Sequence, residues 1–320
     1  MKSFAGKIAV VTGGGTGMGR ELARQLADAG GHVAMCDVSE ENMAQTRSLC
    51  LARGAKVRVT THLADVSVER QVLAFRDAVA SEHGTDHVDL LFNNAGIGGG
   101  GSFVRDDREE WEKTFAVCWG GVYYTSRAFL PLLLKSREAH LVNTSSVNGF
   151  WASLGPNSAH TAYSAAKFAV KGFSEALIND FKLNAPHIKV SVVMPGHIGT
   201  SIVINSGKIL GRDPKEMDDE QIAEARERIE RAGFPVGGAT NEQIRQALVA
   251  IGENFRDAAP MTAAEAAAVI LDGVREERRR ILVGKDAHVQ DRLVRESPED
   301  AYGQPFMDKL QKEASFTLGR

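Results

Sequence analysis

The reading turns on residues 8–37, IAVVTGGGTGMGRELARQLADAGGHVAMCD. An apolar β-rich run, Ile8–Val11, enters a glycine-rich turn, a helix-like segment follows from Arg20, and a second apolar run, His32–Cys36, ends at Asp37. Glycines let a backbone turn tightly and approach a pyrophosphate, which then rests on amides at a helix N-terminus. The spacing is GxxxGxG, through Gly13, Gly17 and Gly19, because Met18 occupies a position that the commoner GxGxxG pattern gives to glycine. Asp37 stands 18 residues beyond Gly19, where a carboxylate accepts both hydroxyls of an adenosine ribose and repels a 2′-phosphate. Neither Thr16 nor Val38 offers a compensating positive charge, so the pattern favours NAD over NADP. The competing role for Asp37, an N-terminal acid for the next helix, is better served by Ser39.

Working outward, further β-rich runs are Val57–Thr60, Val88–Phe92, Leu141–Asn143, Val190–Met194 and Ile281–Val283, separated by longer helix-like segments. Seven such runs with crossover helices imply an α/β fold: one doubly wound, Rossmann-type domain, a seven-stranded parallel sheet with helices on both faces. The whole chain, 1–320, is expected to form that single domain. Residues 201–260 fall outside the repeating unit and contain two amphipathic helices. The second should start with the capping box Thr240–Gln243 and align Ile244, Leu248, Ile251 and Phe255. Residues 285–320 form a polar tail with a weak helical pattern near Phe306–Leu310, a surface appendage or an assembly element.

Composition narrows the function. With 38 basic and 41 acidic residues the net charge is −3, and no long basic block suits a nucleic acid. No apolar run approaches the roughly 20 residues of a membrane span. A strand-like run by Ile8 leaves no room for a signal peptide, so the cytoplasm is expected. Cys36, Cys50 and Cys118 form no CxxC pair, and the one helix-spaced histidine pair, His83 and His87, is broken by Gly84, so no metal is expected. The charged run Glu276–Arg280 reads as the solvated end of the last helix rather than an anion site.

The chemistry concentrates at Ser146, after the fifth run, and at Tyr163 and Lys167, which share a helical face at i and i+4. A phenol titrates near pH 10, and a neighbouring ammonium lowers that value, making Tyr163 an acid/base with Ser146 placed to bind the substrate oxygen. With Asp65-Val66 and Asn93-Asn94-Ala95-Gly96 at strand ends, and Pro195-Gly196 with Thr200 after the sixth, the chain resembles the short-chain dehydrogenase/reductase family over about Lys2–Thr200 and Thr262–Val283.

That resemblance implies reversible hydride transfer between NAD(P) and an alcohol or carbonyl. Tyr163 would be the acid/base, Ser146 the ligand of the substrate oxygen, and Lys167 the group that binds the nicotinamide ribose and acidifies Tyr163. It implies cofactor contacts from Gly13, Thr16, Gly17, Met18 and Gly19, and from Asp37, Asp65 and Val66. Asn94, Ala95 and Gly96 would add to these, as would Pro195 and Gly196, with Ile198 and Thr200 at the carboxamide. Homodimers or homotetramers built through two long helices are also implied. Three departures stand out. Cys118 replaces the family's helix Asn, where relatives open the helix so that a backbone carbonyl serves a proton relay. Ser146 and Tyr163 are separated by an interval longer than usual, with Gly155-Pro156-Asn157 marking the insertion, and the 201–260 lid insertion is long where relatives place a shorter substrate lid. The expected reaction is oxidation or reduction of a bulky, apolar, aromatic or polycyclic secondary alcohol or ketone. An NADP-dependent biosynthetic reductase and a weakly catalytic NAD-binding sensor or scaffold are the alternatives.

Overall fold

A computed structural model describes residues 1–52, 56–155, 158–231 and 233–314. Within them, β1 (Ile8–Thr12), α1 (Gly17–Asp28), β2 (His32–Asp37), α2 (Glu40–Leu51), β3 (Val59–Leu63) and α3 (Glu69–His83) form one half. β4 (Leu90–Asn93), α4 (Arg108–Phe115), α5 (Gly121–Lys135), β5 (Ala139–Thr144), α6 (Thr161–Asn184) and β6 (Ile188–Pro195) form the other. Next come a short β7 (Ile198–Gly199), then α7 (Ile202–Ile209), α8 (Asp219–Arg231) and α9 (Asn241–Asp257). The chain continues through β8 (Met261–Thr262), α10 (Ala263–Arg275), β9 (Arg280–Val283), α11 (Lys285–Glu296) and α12 (Gln304–Ala314).

Seven strands pair in the order β3-β2-β1-β4-β5-β6-β9, all parallel. The inner strands β1, β4, β5 and β6 are buried on both faces and read as largely apolar runs, the expected signature of a covered parallel sheet. Successive side chains point to opposite sides. Ala9 and Val11 pack with Leu22 and Leu26 of α1, Met43 of α2 and Ile270 of α10. Ile8 and Val10 pack with Phe75 of α3, Phe129 of α5 and Phe181 of α6. The order reverses between β1 and β4, and the crevice at the carboxyl ends of those strands is where open α/β sheets bind ligands.

Four local expectations change. β3 lies two residues beyond the expected Val57–Thr60, because pairing runs from Val33–Val59 to Asp37–Leu63. This is an edge strand with partly open faces, so Thr60, Thr61 and His62 sit in it without needing an apolar face. Residues 201–260 hold three helices among those described, not two, since α7 begins with Ile202, Val203 and Ile204 in succession and hides its helical period. The charged run is not all helix end: α10 stops at Arg275, and Arg280 opens β9 and pairs with Asp291 at 2.7 Å. The described part of the tail is no loose appendage either. Leu293 of α11 and Phe306, Met307 and Leu310 of α12 enclose Trp151 in a small separate core.

The capping box at α9 forms in full, with Thr240 Oγ accepting from Gln243 N and the Gln243 side chain accepting from Thr240 N. Of its aligned apolar residues, Ile244 is buried, whereas Ile251 is 52% exposed. No helix among the described residues is long and apolar enough to cross a membrane.

Candidate active site

The turn after β1 has a shape that only glycine allows at its tightest points. Gly13 takes a left-handed φ of +67°, and a Cβ there would lie 2.9 Å from Ala95 Cα. A Cβ on Gly19 would lie 2.0 Å from the Gly13 carbonyl oxygen. The first turn of α1 therefore comes down onto the loop with bare amides and no carboxylate, a positive pole open to an anion. Thr12 Oγ accepts from the amides of Asn94 and Ala95, both at 3.0 Å, and Asn94 Nδ2 donates to Thr12 O at 3.1 Å. Asn94, Ala95 and Gly96 thus form the second wall of the cradle. Asn93 turns inward, donating to Asn143 Oδ1 and Ser126 Oγ at 2.8 Å each.

Asp37 stands at the end of β2, its Oδ2 accepting from Gly15 N at 2.9 Å and its Oδ1 from Ser39 N at 3.1 Å. Arg20 is engaged on the same loop, donating to Gly15 O at 2.6 Å and Thr46 Oγ at 3.1 Å. Asp65 faces Lys113 at 2.6 Å and Ser67 at 2.6 Å. Burial pushes its carboxyl up, but these partners hold it below the usual carboxylate range. Val66 packs so closely on α5 that a Cβ on Gly121 would lie 2.6 Å from its Cγ2.

Across the crevice, Ser146 follows β5 and its Oγ accepts from Asn148 N at 3.1 Å. Asn148 Nδ2 donates to Trp151 O and Ser153 O, and Trp151 Nε1 donates to Ala301 O at 2.7 Å, so the loop carrying Ser146 is tied to the tail. Tyr163 lies in the first turn of α6, and Lys167 Nζ is 5.3 Å from its ring centre. Lys167 is held at both ends: Nζ donates to Thr144 O at 2.9 Å, and its own carbonyl accepts from Ser145 Oγ at 2.7 Å. Burial pushes the Tyr163 phenol above its ordinary range, while the Lys167 charge and a hydrogen bond with Ser146 pull it down. Ser146, Tyr163 and Lys167 therefore converge, despite the long interval between the first two.

The helix is open at Cys118. Ala116–Gly120 form a π turn between α4 and α5, a geometry that interrupts the i→i+4 ladder, and Cys118 Sγ donates to Ile97 O at 3.1 Å. A Cβ on Gly96 would touch both Lys167 Nζ (3.5 Å) and Cys118 Sγ (3.7 Å), so the three positions are contiguous. Thr200 packs against Gly17, and Ile198 pairs with Met261. Gly196 fits under Asp286, whose carboxylate accepts from His197 N at 2.7 Å. Pro156 and Asn157 of the expected loop insertion lie outside the described residues.

Ser146, Tyr163, Lys167, Gly196 and Thr200 line a cavity of about 1170 Å³ that extends to Val203, Leu248, Ile251 and Phe255 of residues 201–260. Several residues at or beside the cavity escaped the sequence reading. The His160 ring sits 4.7 Å from that of Tyr163, with burial pushing its pKa down to about 4, so it is neutral near pH 7. Its only sequence signal is its place three residues before Tyr163. Asn205 of α7 donates to Thr16 Oγ at 3.1 Å, and Ser206 Oγ accepts from Gly98 N at 2.8 Å, contacts that no local pattern foretells.

The glycine cradle, the open helix pole and the strand-end acids fit a dinucleotide. The short-chain dehydrogenase family model matches residues 7–209, and the chain belongs to that family of NAD(P)-dependent oxidoreductases. It is 38% identical over 226 residues to the putative oxidoreductase SadH of Mycobacterium tuberculosis, covering 70% of this chain and 79% of the relative. A Burkholderia phymatum short-chain dehydrogenase/reductase crystallised with NAD superposes with a TM-score of 0.73 at 28% identity, over 95% of this chain and 98% of the other. A metagenomic short-chain oxidoreductase in complex with NADP gives 0.54 at 30% identity, over 60% and 83%.

Proposed function

We propose that this enzyme transfers a hydride between NAD and a bulky, largely apolar secondary alcohol or its ketone. The carrying observation is the convergence of Ser146, Tyr163 and Lys167 at a cavity that also reaches Met18 of the glycine-rich turn and Asn94 and Gly96 opposite it. The bound nicotinamide supplies the hydride acceptor or donor. Gly13, Thr16, Gly17, Met18 and Gly19 hold the pyrophosphate end, with Asn94, Ala95 and Gly96 opposite, and Asp65 and Val66 flank the adenine. Pro195, Gly196, Ile198 and Thr200 border the carboxamide. Asp37 receives the adenosine ribose, and the nearest loop cation, Arg20, is committed to Gly15 and Thr46, which supports NAD over NADP.

Ser146 holds the substrate oxygen, and Tyr163 removes or returns its proton. Lys167 lowers the cost of the phenolate, which burial alone raises. The neutral His160 ring packs the outer edge of Tyr163 without competing as a cation. Substrate bulk follows from the lid, where Ile251 (52% exposed) and Val203 (38%) border the cavity with much of their apolar surface uncovered. Residues 201–260 then act as the substrate lid of one 1–320 domain with a docked tail. Tyr123 and Phe168, exposed on α5 and α6, support assembly as a homodimer or homotetramer, and we place the protein in the cytoplasm.

The test is steady-state kinetics at alkaline pH with aryl and polycyclic secondary alcohols against isopropanol, using NAD and NADP. The reading requires NAD to be favoured at least tenfold in kcat/KM, about 1.4 kcal/mol. It also requires every good substrate to be larger than isopropanol. Equal use of both cofactors, or isopropanol as the best alcohol, refutes it.

A further inference from the structure

The lid brings to the cavity a charge that hydride transfer does not use. Arg228 of α8 and Arg212, on the connection between α7 and α8, both line it. Arg212 Nη2 is paired with Glu110 Oε1 at 2.8 Å, and the same oxygen accepts from Gly100 N at 2.8 Å. Arg212 Nε is buried without a hydrogen-bond partner. Arg228 makes neither an ion pair nor a hydrogen bond among the described residues. Burial and the adjacent Arg212 charge push its guanidinium below its ordinary range, and Glu110, Asp106 and Glu224 do not offset this. Asp106 is itself engaged by Ser102 N at 2.8 Å.

A half-buried guanidinium at the cavity wall that makes no ion pair or hydrogen bond among the described residues has its donors free to receive an anion. Within the Arg212–Arg228 pair Glu110 neutralises Arg212, which leaves Arg228 as the guanidinium with free donors. A planar guanidinium fork matches a carboxylate with two parallel hydrogen bonds.

Building on the proposed hydride transfer, we propose that the substrate is an apolar hydroxy acid or keto acid whose carboxylate, remote from the reacting carbon, is bound by Arg228 with Arg212 beside it. Arg228 is thus the specificity-determining residue of the lid.

The experiment compares 4-(1-hydroxyethyl)benzoate and its longer biphenyl homologue, each with its methyl ester, on wild-type holoenzyme and on Arg228→Gln and Arg228→Lys. The wild type is expected to favour at least one acid over its ester by about tenfold or more in kcat/KM, chiefly through KM, as one charge-assisted pair provides. Arg228→Gln brings that ratio close to one, and Arg228→Lys keeps part of it. Turnover of the esters with no preference for either acid overturns the carboxylate site and leaves hydride transfer standing. A preference that survives Arg228→Gln also overturns it. If no compound is turned over, calorimetric titration of the NADH-loaded proteins decides. Acid binding to the wild type and not to Arg228→Gln keeps the carboxylate site and sinks the hydride-transfer reading, whereas binding to neither overturns both.

Discussion

Replacing Trp151 by Phe tests whether the tail holds the catalytic loop. The indole is 1% exposed, its Nε1 donates to Ala301 O at 2.7 Å, and its ring centre lies 5.3 Å from that of Phe306. Phe retains an aromatic ring but cannot donate, which strands the Ala301 carbonyl in a dry site at about 1–3 kcal/mol. The smaller ring also leaves an unfilled volume worth roughly another 1 kcal/mol. At ~2–4 °C per kcal/mol for a domain of this size class, the melting temperature should fall by roughly 4–16 °C. The loss should reach function, because Trp151 O accepts from Asn148 Nδ2 and Asn148 N donates to Ser146 Oγ. Differential scanning calorimetry with steady-state kinetics on the same preparation makes the measurement. A melting temperature within about 1 °C of wild type, with unchanged kcat, would show that the contact anchors nothing.

Tyr163→Phe keeps the ring and removes the proton-transferring hydroxyl, so turnover should drop by ~3 orders of magnitude while NADH binding by fluorescence titration is retained; near-wild-type turnover sinks the assignment. Lys167→Met withdraws the charge that lowers the Tyr163 pKa, so the pH at which alcohol oxidation switches on should move upward at saturating NAD. A profile that stays put or moves down contradicts the electrostatic role. Cys118→Ala should keep most activity, since the π turn leaves the backbone carbonyl in place and the sulfur only donates to Ile97 O. Loss of activity there would show that the thiol takes part.

Local physics made much of the architecture readable. Runs such as Val10–Val11 and Val190–Met194 are apolar on both faces because both faces are covered, and the turn at Gly13–Gly19 follows from steric demands confined to a few residues. The Ser146, Tyr163 and Lys167 set was legible because two of its members share one helical turn. Where burial is one-sided, legibility fades: β3 carries Thr and His at the sheet edge, and α11 buries only a narrow face through Ala287, Gln290 and Leu293. Arg228 and Asn205 were out of reach for another reason. Their roles depend on where α8 and α7 settle against segments about 100 or more residues earlier in the chain, such as Glu110 and Thr16, and nothing in their own neighbourhood records that.

The short helix α7 has a kinetic meaning. Through Asn205 it grips Thr16 in the cofactor turn, and through Ser206 it grips Gly98 beside the substrate cavity. Two such bonds, at about 1 kcal/mol each, would keep the opened form to a few per cent of the population. On the proposed reading of the Thr16 turn as the dinucleotide site, lifting α7 would break both contacts together and so couple product release to cofactor release. A pre-steady-state burst of NADH ahead of slow turnover is the expected trace of that coupling, and Asn205→Ala should shorten the slow phase.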